Sequence, residues 1–169
     1  MEYIFEYKSP IGSIIITSDE TEITGLIFKG ESEAEVPNDK RHKETGAIKE
    51  TKRWLDIYFS GKNPGYIPAI NLKGTEFQKL VWKILLEVPY GKTTTYGEIA
   101  GKIAEIKNVS RMSAQAVGGA VGKNPIAIII PCHRVVGKKG NMTGYAYGID
   151  KKIALLALEG ADMGKFFED

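Results

Sequence analysis

The feature that most constrains the fold of this chain is a change in the spacing of its apolar residues near residues 72 to 75. Before this point, three β-rich runs separated by turn signals predict an antiparallel meander. These runs are residues 3–9, 12–18 and 22–30. Helical spacing from Lys43 to Tyr58 predicts one helix that covers the sheet, and the IPAINL piece after it is a candidate edge strand.

Beyond Leu72 the apolar residues follow a helical period, and four helices are predicted. They cover residues 75–88, 95–104, 113–122 and 150–159. Thr75 and Ser113 are the predicted N-caps of the first and third helix, and Gly160 is the predicted C-terminal cap of the last. The chain is therefore expected to be an α+β protein of two domains, a small α/β domain at 1–73 and a mainly helical domain at 74–169.

The charge of the chain is concentrated in its second half. The whole chain carries a net charge of +2, but residues 90–152 hold ten Lys and Arg against three Asp and Glu, which is +7 in that window and −5 elsewhere. Two short predicted helices, 95–104 and 113–122, lie in the same window and fit a helix-turn-helix arrangement. The asymmetry favours a polyanionic partner and a solvated lysine-rich face about equally.

The composition argues against a metal centre, a disulfide and a membrane anchor. The chain has one cysteine and two histidines, His42 and His133, which excludes an internal disulfide and disfavours a zinc site. No apolar stretch approaches the roughly 20 residues that cross a bilayer, and the first residues, MEYIFEYKSP, lack the pattern of a signal peptide. We expect no cofactor, no structural metal and a cytoplasmic or nucleoid location.

The single cysteine, Cys132, ends the apolar run PIAIIIPC and precedes a basic segment, so it is expected at the border of core and surface. A cysteine is nucleophilic as a thiolate, and cationic neighbours lower its pKa. His133, Arg134, Lys138 and Lys139 supply such surroundings. A small buried hydrophobic residue is the competing interpretation, which composition alone favours.

Glu159 is a second candidate, because an acid in the last turn of a helix opposes the helix dipole. It can orient a histidine that accepts the thiol proton, or it can be a solvated surface residue.

The motif PCHRVV at 131–136, with Asn124 and Pro125 before it and the TGYA and LLALEG pieces after it, resembles the O6-alkylguanine-DNA alkyltransferases (methylated-DNA–protein-cysteine methyltransferases). The resemblance covers roughly residues 74–160. It implies a ribonuclease H-like N-terminal domain and a winged helix-turn-helix-like domain that holds the active site. It further implies a stoichiometric, cofactor-free transfer of the alkyl group from O6-alkylguanine, and from O4-alkylthymine, in double-stranded DNA to a monomeric protein.

The resemblance also assigns roles to individual residues. Cys132 matches the alkyl acceptor, His133 the base that acts through a water, and Glu159 the acid that orients it. Tyr96 matches the tyrosine that donates its hydroxyl proton to guanine N3 once the base is extruded from the duplex. Four further matches concern substrate contacts and support. They are the backbone carbonyls of Cys132 and Val135, the backbone amide of Thr143, and the side chain of Asn124, which ties the recognition helix to the active-site loop.

Two positions depart from the family pattern. Gln115 stands where an arginine usually fills the space of the extruded base, so base flipping is expected to be less efficient or to be assisted by Arg111. Met142 replaces a frequent aromatic residue beside the alkyl group. The helix that begins near Ser113 is expected against the minor groove.

Two other functions compete with the alkyltransferase. A damage sensor would flip bases without chemistry, although it has no use for Cys132. A cysteine hydrolase would use Cys132 and His133 over many turnovers, although adjacent residues are poorly disposed for a direct ion pair.

Overall fold

The computed structural model of the protein describes residues 2–30, 42–142 and 144–166. It divides into two compact units, Met1–Lys73 with Pro125–Ala127 and Gly74–Asn124 with Ile128–Asp169. The sequence prediction of two contiguous domains, 1–73 and 74–169, did not include the three residues that join the first unit.

The first unit is a three-stranded antiparallel sheet with one helix, as predicted. The strands are β1 (Tyr3–Ser9), β2 (Gly12–Ser18) and β3 (Ile23–Phe28), in that order across the sheet. Ile14 and Ile16 of β2 are fully buried. Residue 126 joins the sheet because Leu26 N donates to Pro125 O at 3.0 Å and Ala127 N donates to Leu26 O at 2.8 Å. The IPAINL piece forms a single bridge between Ile23 and Ile70 rather than a full strand.

Helix α1 (Gly46–Phe59) begins three residues later than the predicted Lys43. Thr45 sets the start, because its Oγ1 accepts a hydrogen bond from Ile48 N at 3.1 Å and also pairs with Ser18 Oγ at 2.8 Å. The buried stripe of α1 consists of Ala47, Ile48, Thr51, Trp54, Leu55 and Tyr58.

The second unit is mainly helical. Its helices are α2 (Glu76–Leu86), α3 (Tyr96–Lys107), α4 (Ala114–Gly122) and α5 (Ile149–Leu158). Thr75 and Thr95 form capping boxes with Gln78 and Glu98, and Ser113 caps α4 as predicted. The α+β class is confirmed.

Two contacts position the elements of this unit that carry the site. Two short strands, β4 (Thr94–Thr95) and β5 (Val135–Val136), pair in parallel just before α3 and just after Cys132. Trp82 Nε1 of α2 donates to Ala120 O of α4 at 2.9 Å. The segment before β5 was predicted as a buried strand or core segment. It is buried but irregular, and Ile128 has a φ of 68°.

Within the described ranges, none of the helices is both long and apolar enough to cross a membrane. Nor is any group of three or more His, Cys, Asp and Glu side chains in that part of the chain placed to hold a metal ion.

Candidate active site

The cysteine lies in a short 3₁₀ turn, Cys132–Arg134, which follows Pro131 and leads into β5. Cys132 N donates to Ile130 O at 2.8 Å and Arg134 N donates to Pro131 O at 2.9 Å. Consecutive residues of an extended strand face opposite sides, but this turn buries all three side chains, with exposed fractions of 6%, 0% and 8%. Cys132 and His133 are therefore neighbours in the same interior.

The carboxylate of Glu159, the C-cap residue of α5, is hydrogen-bonded by three residues. His133 Nε2 lies 2.6 Å from Glu159 Oε2, Arg134 Nε donates to Oε1 at 2.8 Å, and Gly91 N donates to Oε1 at 3.0 Å. The Glu159 side chain is fully buried, so the interpretation of a solvated surface residue is wrong. Burial by itself would raise the pKa of Glu159, but the bonds from His133 and Arg134 hold it well below its usual range. Glu159 is therefore a carboxylate at neutral pH.

Arg134 pairs with Glu159 rather than with the Cys132 thiol. Besides the Nε bond, its Nη2 donates to Glu159 Oε2 at 3.1 Å and its Nη1 donates to Val88 O at 2.7 Å. The expectation that Arg134 belongs to the positive surroundings that lower the pKa of Cys132 is corrected, because a two-point ion pair with Glu159 neutralises its charge. The same ion pair also offsets the unfavourable interaction between the Glu159 carboxylate and the negative end of the α5 dipole.

Lys152, which the sequence analysis missed, is the cation that acts on Cys132. Burial raises the pKa of the Cys132 thiol, while the Asn124 side chain and the Lys152 charge lower it. Burial prevails, so the resting cysteine is a neutral thiol, contrary to the expected depressed pKa. Lys138 and Lys139 are exposed and lie at a cavity instead. A helical spacing of three to four residues from Lys152 through Leu155 to Glu159 was the signal that Lys152 faces inward.

We expect Lys152 to make the free energy of unfolding depend on pH. Burial lowers its pKa from 10.5 to about 8, against the opposing effect of Cys132. Between these values the unfolded chain binds more protons than the folded protein, so the free energy of unfolding rises with pH across this window. Lys152→Met removes that rise, which amounts to about 1–2 kcal/mol.

The measurement is urea denaturation at about pH 7.5 and about pH 9.5, with and without Lys152→Met, in a Cys132→Ser background that removes the thiol titration. Equal pH dependence in the two proteins would contradict the assignment.

His133 is held as a neutral imidazole. Burial lowers its pKa, and the bond to Glu159 opposes this without overcoming it. Because Glu159 is a carboxylate, Nε2 carries the proton and donates to it, which leaves Nδ1 as the basic nitrogen. Nδ1 is buried and has no hydrogen-bond partner among the residues that the structure describes. The imidazole is therefore held as a neutral base whose Nδ1 lone pair is buried and free.

Tyr96, the first residue of α3, borders a cavity of about 440 Å³. Its hydroxyl lies 3.4 Å from the Gly144 carbonyl oxygen, to which it donates. Burial and the nearby Cys132 both raise the pKa of Tyr96, so the phenol keeps its proton. The described residues that line the cavity are Thr95, Tyr96, Gly97, Ala114, Lys138 and Lys139. A mainly apolar cavity with a phenol donor and two lysines suits a flat heteroaromatic group attached to an anionic chain.

The predicted nucleic-acid contacts lie on and before α4. Gln115, Arg111 and Ser113 are exposed, and a second cavity of about 520 Å³ is lined by Arg111, Met112, Ser113 and Ala114. Val135 is buried in β5. The exposed part of α4 is made of small residues apart from Gln115, which gives this helix a low-profile surface.

Asn124 and Met142 are both buried, with different partners. Asn124 Nδ2 donates to Ile130 O at 2.8 Å, and the side chain also hydrogen-bonds Cys132, so it joins the end of α4 to the cysteine turn. Met142 packs in a cluster with Val136 and Leu156, and its place beside the alkyl group stays a prediction. Thr143 lies outside the described residues.

Comparisons with known proteins agree with this arrangement. The family model for the 6-O-methylguanine DNA methyltransferase DNA binding domain matches residues 76–161, and that for the ribonuclease-like domain matches residues 3–65. A methylated-DNA–protein-cysteine methyltransferase of Methanosarcina acetivorans is 45% identical over 94% of this chain and 99% of its own length. Another from Haemophilus influenzae is 42% identical over 93% of this chain and 86% of its own length.

Solved structures give the same result. The crystal structure of Mycobacterium tuberculosis O6-methylguanine methyltransferase matches with a TM-score of 0.81 and 39% identity, over 94% of this chain and 93% of that one. A crystal structure of Mycobacterium tuberculosis OGT in complex with DNA matches with a TM-score of 0.79 and 40% identity, over 93% and 92%.

Proposed function

We propose, because the chain belongs to the 6-O-methylguanine DNA methyltransferase family, that Cys132 is the acceptor of the alkyl group that the protein removes from damaged guanine. The function of the chain is direct-reversal repair of O6-methylguanine in DNA, as a methylated-DNA–protein-cysteine methyltransferase. Its partner is DNA. The observation that carries the assignment of Cys132 is its place in one buried turn with His133, whose imidazole is held by Glu159.

The chemistry proceeds as a single displacement. His133 Nδ1 takes the thiol proton through a water molecule, and the Cys132 sulfur attacks the alkyl carbon. The S–C bond forms as the C–O6 bond breaks, and the electron pair of that bond stays on the guanine. Tyr96 donates its hydroxyl proton to guanine N3, so the base leaves in neutral form, and the proton taken up by His133 then replaces the one that Tyr96 gave, through solvent, so that both residues regain their resting state. Glu159 stabilises the imidazolium that forms, and Arg134 keeps Glu159 in place.

The raised pKa of Cys132 favours this coupled route. A buried thiolate formed in advance would be costly in a site that excludes water, whereas proton loss to His133 during the attack creates the charge when it is used. Neutral His133 can accept that proton, since Glu159 opposite it is already ionised. The alkyl group has no route back, so each molecule acts once.

Mixing the protein with duplex DNA that contains one O6-methylguanine tests the function. The peptide that bears Cys132 is expected to gain the mass of one methylene, with one methyl group per protein molecule even in excess DNA. Unmodified duplex of the same sequence is the control. A Cys132 peptide of unchanged mass would refute the proposal, and repeated turnover would support a hydrolase instead.

Substrate access requires the guanine to leave the duplex, and the exposed side of α4 is the proposed contact. Gln115 takes the place of the extruded base, Arg111 contacts the phosphate backbone, and the Ser113 end of the helix faces the minor groove. The carbonyls of Cys132 and Val135 and the amide of Thr143 contact the flipped base. We further propose that the protein acts as a monomer in the cytoplasm and nucleoid, and that it accepts O4-alkylthymine.

Gln115→Arg is expected to accelerate methyl transfer from duplex DNA about three- to tenfold at limiting protein concentration, because a charged donor pairs better with the bases and phosphates left by the flipped nucleotide. The single-turnover rate is measured on double-stranded and single-stranded DNA, and the gain is confined to the duplex. Ala116→Arg, which places the same charge on the neighbouring exposed residue of α4, is the matched control. An equal gain in both variants would show that charge alone is responsible.

A further inference from the structure

Two buried polar atoms of the second unit have no hydrogen-bond partner among the described residues, one beside Cys132 in the chain and the other within electrostatic range of it. They are His133 Nδ1 and the hydroxyl oxygen of Tyr145. His133 is fully buried and Tyr145 is 8% exposed. Buried polar groups in folded proteins are almost always paired, because an unpaired one keeps the full cost of its lost hydration. Two such atoms in one site point to a shared partner.

Tyr145 is fixed in position by its surroundings. It follows Gly144, whose carbonyl oxygen accepts the Tyr96 hydroxyl, and its own carbonyl oxygen accepts Gly148 N at 3.1 Å. Its ring packs edge-on against Tyr147 with the ring centres 5.6 Å apart. The hydroxyl is thus held in the interior by ring packing and a backbone turn.

Tyr145 lies within electrostatic range of Cys132 and Glu159. Burial raises the pKa of Tyr145 well above its ordinary value, and the charges of Cys132, Tyr147 and Glu159 raise it further. Tyr145 therefore keeps its proton throughout the reaction and acts as a hydrogen-bond donor. His133 Nδ1 is an acceptor, so the two orphaned atoms are complementary.

We propose that Tyr145 is a positioning residue, whose hydroxyl and His133 Nδ1 together hold the water that carries the thiol proton of Cys132. The inference rests on the proposed function, in which this water links the two residues. A buried water is stably held by two to four polar partners, and the thiol, the imidazole and the phenol supply three. The water accepts hydrogen bonds from the thiol and from Tyr145, and donates to Nδ1. As the thiol proton passes to the water, one water proton passes to Nδ1, while Tyr145 keeps its own.

Tyr145→Phe tests the inference, with Tyr147→Phe as the matched control on the ring that packs against it. The readouts are the methyl-transfer rate at saturating protein, the Kd for duplex DNA, and Tm. With the water less well held, the saturated rate of Tyr145→Phe falls about tenfold while Kd stays unchanged. Its Tm does not rise, since the lost hydroxyl was hydrogen-bonded. Tyr147→Phe transfers at the wild-type rate.

A second variant carries para-fluorophenylalanine at position 145, where fluorine occupies the space of the hydroxyl without donating a hydrogen bond, and the same rate loss is expected. A saturated rate within twofold of wild type in both variants would overturn the inference, as would a Tm increase of several degrees, the sign of relief from an unpaired hydroxyl. In either case methylation of Cys132 in the wild-type protein leaves the proposed function standing. Absence of that methylation refutes the function itself.

Discussion

Cys132→Ala is expected to take up no methyl group from O6-methylguanine DNA while binding the DNA with wild-type affinity. The transfer rate should fall by at least about 10⁴-fold, as is typical when a nucleophile is removed. Affinity is retained because phosphate contacts dominate binding, and the basic residues Arg111, Lys138 and Lys139 remain. Transfer is measured with DNA labelled in the methyl group, and affinity is measured by titration at fixed salt.

Cys132→Ser sharpens this experiment. Serine has nearly the same shape as cysteine, but its hydroxyl ionises far less readily than a thiol, so the loss of transfer should be of the same order. The chain has no second cysteine, so labelled methyl on either variant would have to reside on another residue type. Such labelling would contradict the assignment of Cys132 as acceptor.

Glu159→Gln is expected to affect both stability and chemistry. The amide leaves the buried Arg134 guanidinium without its ion-pair partner, which lowers the free energy of unfolding by about 3–5 kcal/mol. The His133 imidazolium also loses the carboxylate that stabilises it, and the transfer rate at saturating protein should fall about 10²- to 10⁴-fold. Chemical denaturation and single-turnover transfer give the two numbers, with transfer measured well below the Tm of the variant.

Glu87→Gln is the matched control, because Glu87 also ends a helix but is exposed. This change should alter stability by no more than about 0.5 kcal/mol and leave transfer unchanged. An equal loss in the two variants would show that Glu159 acts only as one negative charge among others. Glu159→Gln with wild-type transfer would remove the carboxylate from the mechanism.

Local signals in the sequence predicted most of the fold. The three strands follow from β-rich runs between turn residues, and the starts of α2 and α4 follow from Thr75 and Ser113, whose side chains cap the first turn. Helix α1 was misplaced by three residues because apolar spacing says little about the exact start, which Thr45 sets. The apolar run before Cys132 indicated a buried segment, but it could not distinguish a strand from an irregular core segment, because both are apolar when buried.

Less of the candidate site than of the fold could be predicted from the sequence. The PCHRVV motif located Cys132 and His133, and the family it indicates is confirmed by the comparisons. The partners of Arg134 depend on α5 packing against the cysteine turn, which no local pattern encodes. The burial of Lys152 did have a local signal in its helical spacing to Leu155 and Glu159, but that spacing did not show that Lys152 lies near Cys132. The sign of the pKa shift at Cys132 was wrong for a similar reason. Neighbours in the chain suggested cations, whereas the fold supplies burial and one lysine from a distant helix.

The turn at Gly91 is far from the cysteine in the sequence but contacts the same active-site carboxylate. Gly91 adopts a φ of 77° and donates its amide to Glu159, and a β-carbon added there would lie 3.0 Å from the Glu159 carbonyl oxygen. Other residues strain at that φ and crowd the end of α5. A side chain at position 91 is therefore expected to destabilise the protein and to displace the residue that holds His133, so that one glycine remote in the sequence helps to keep the base in place.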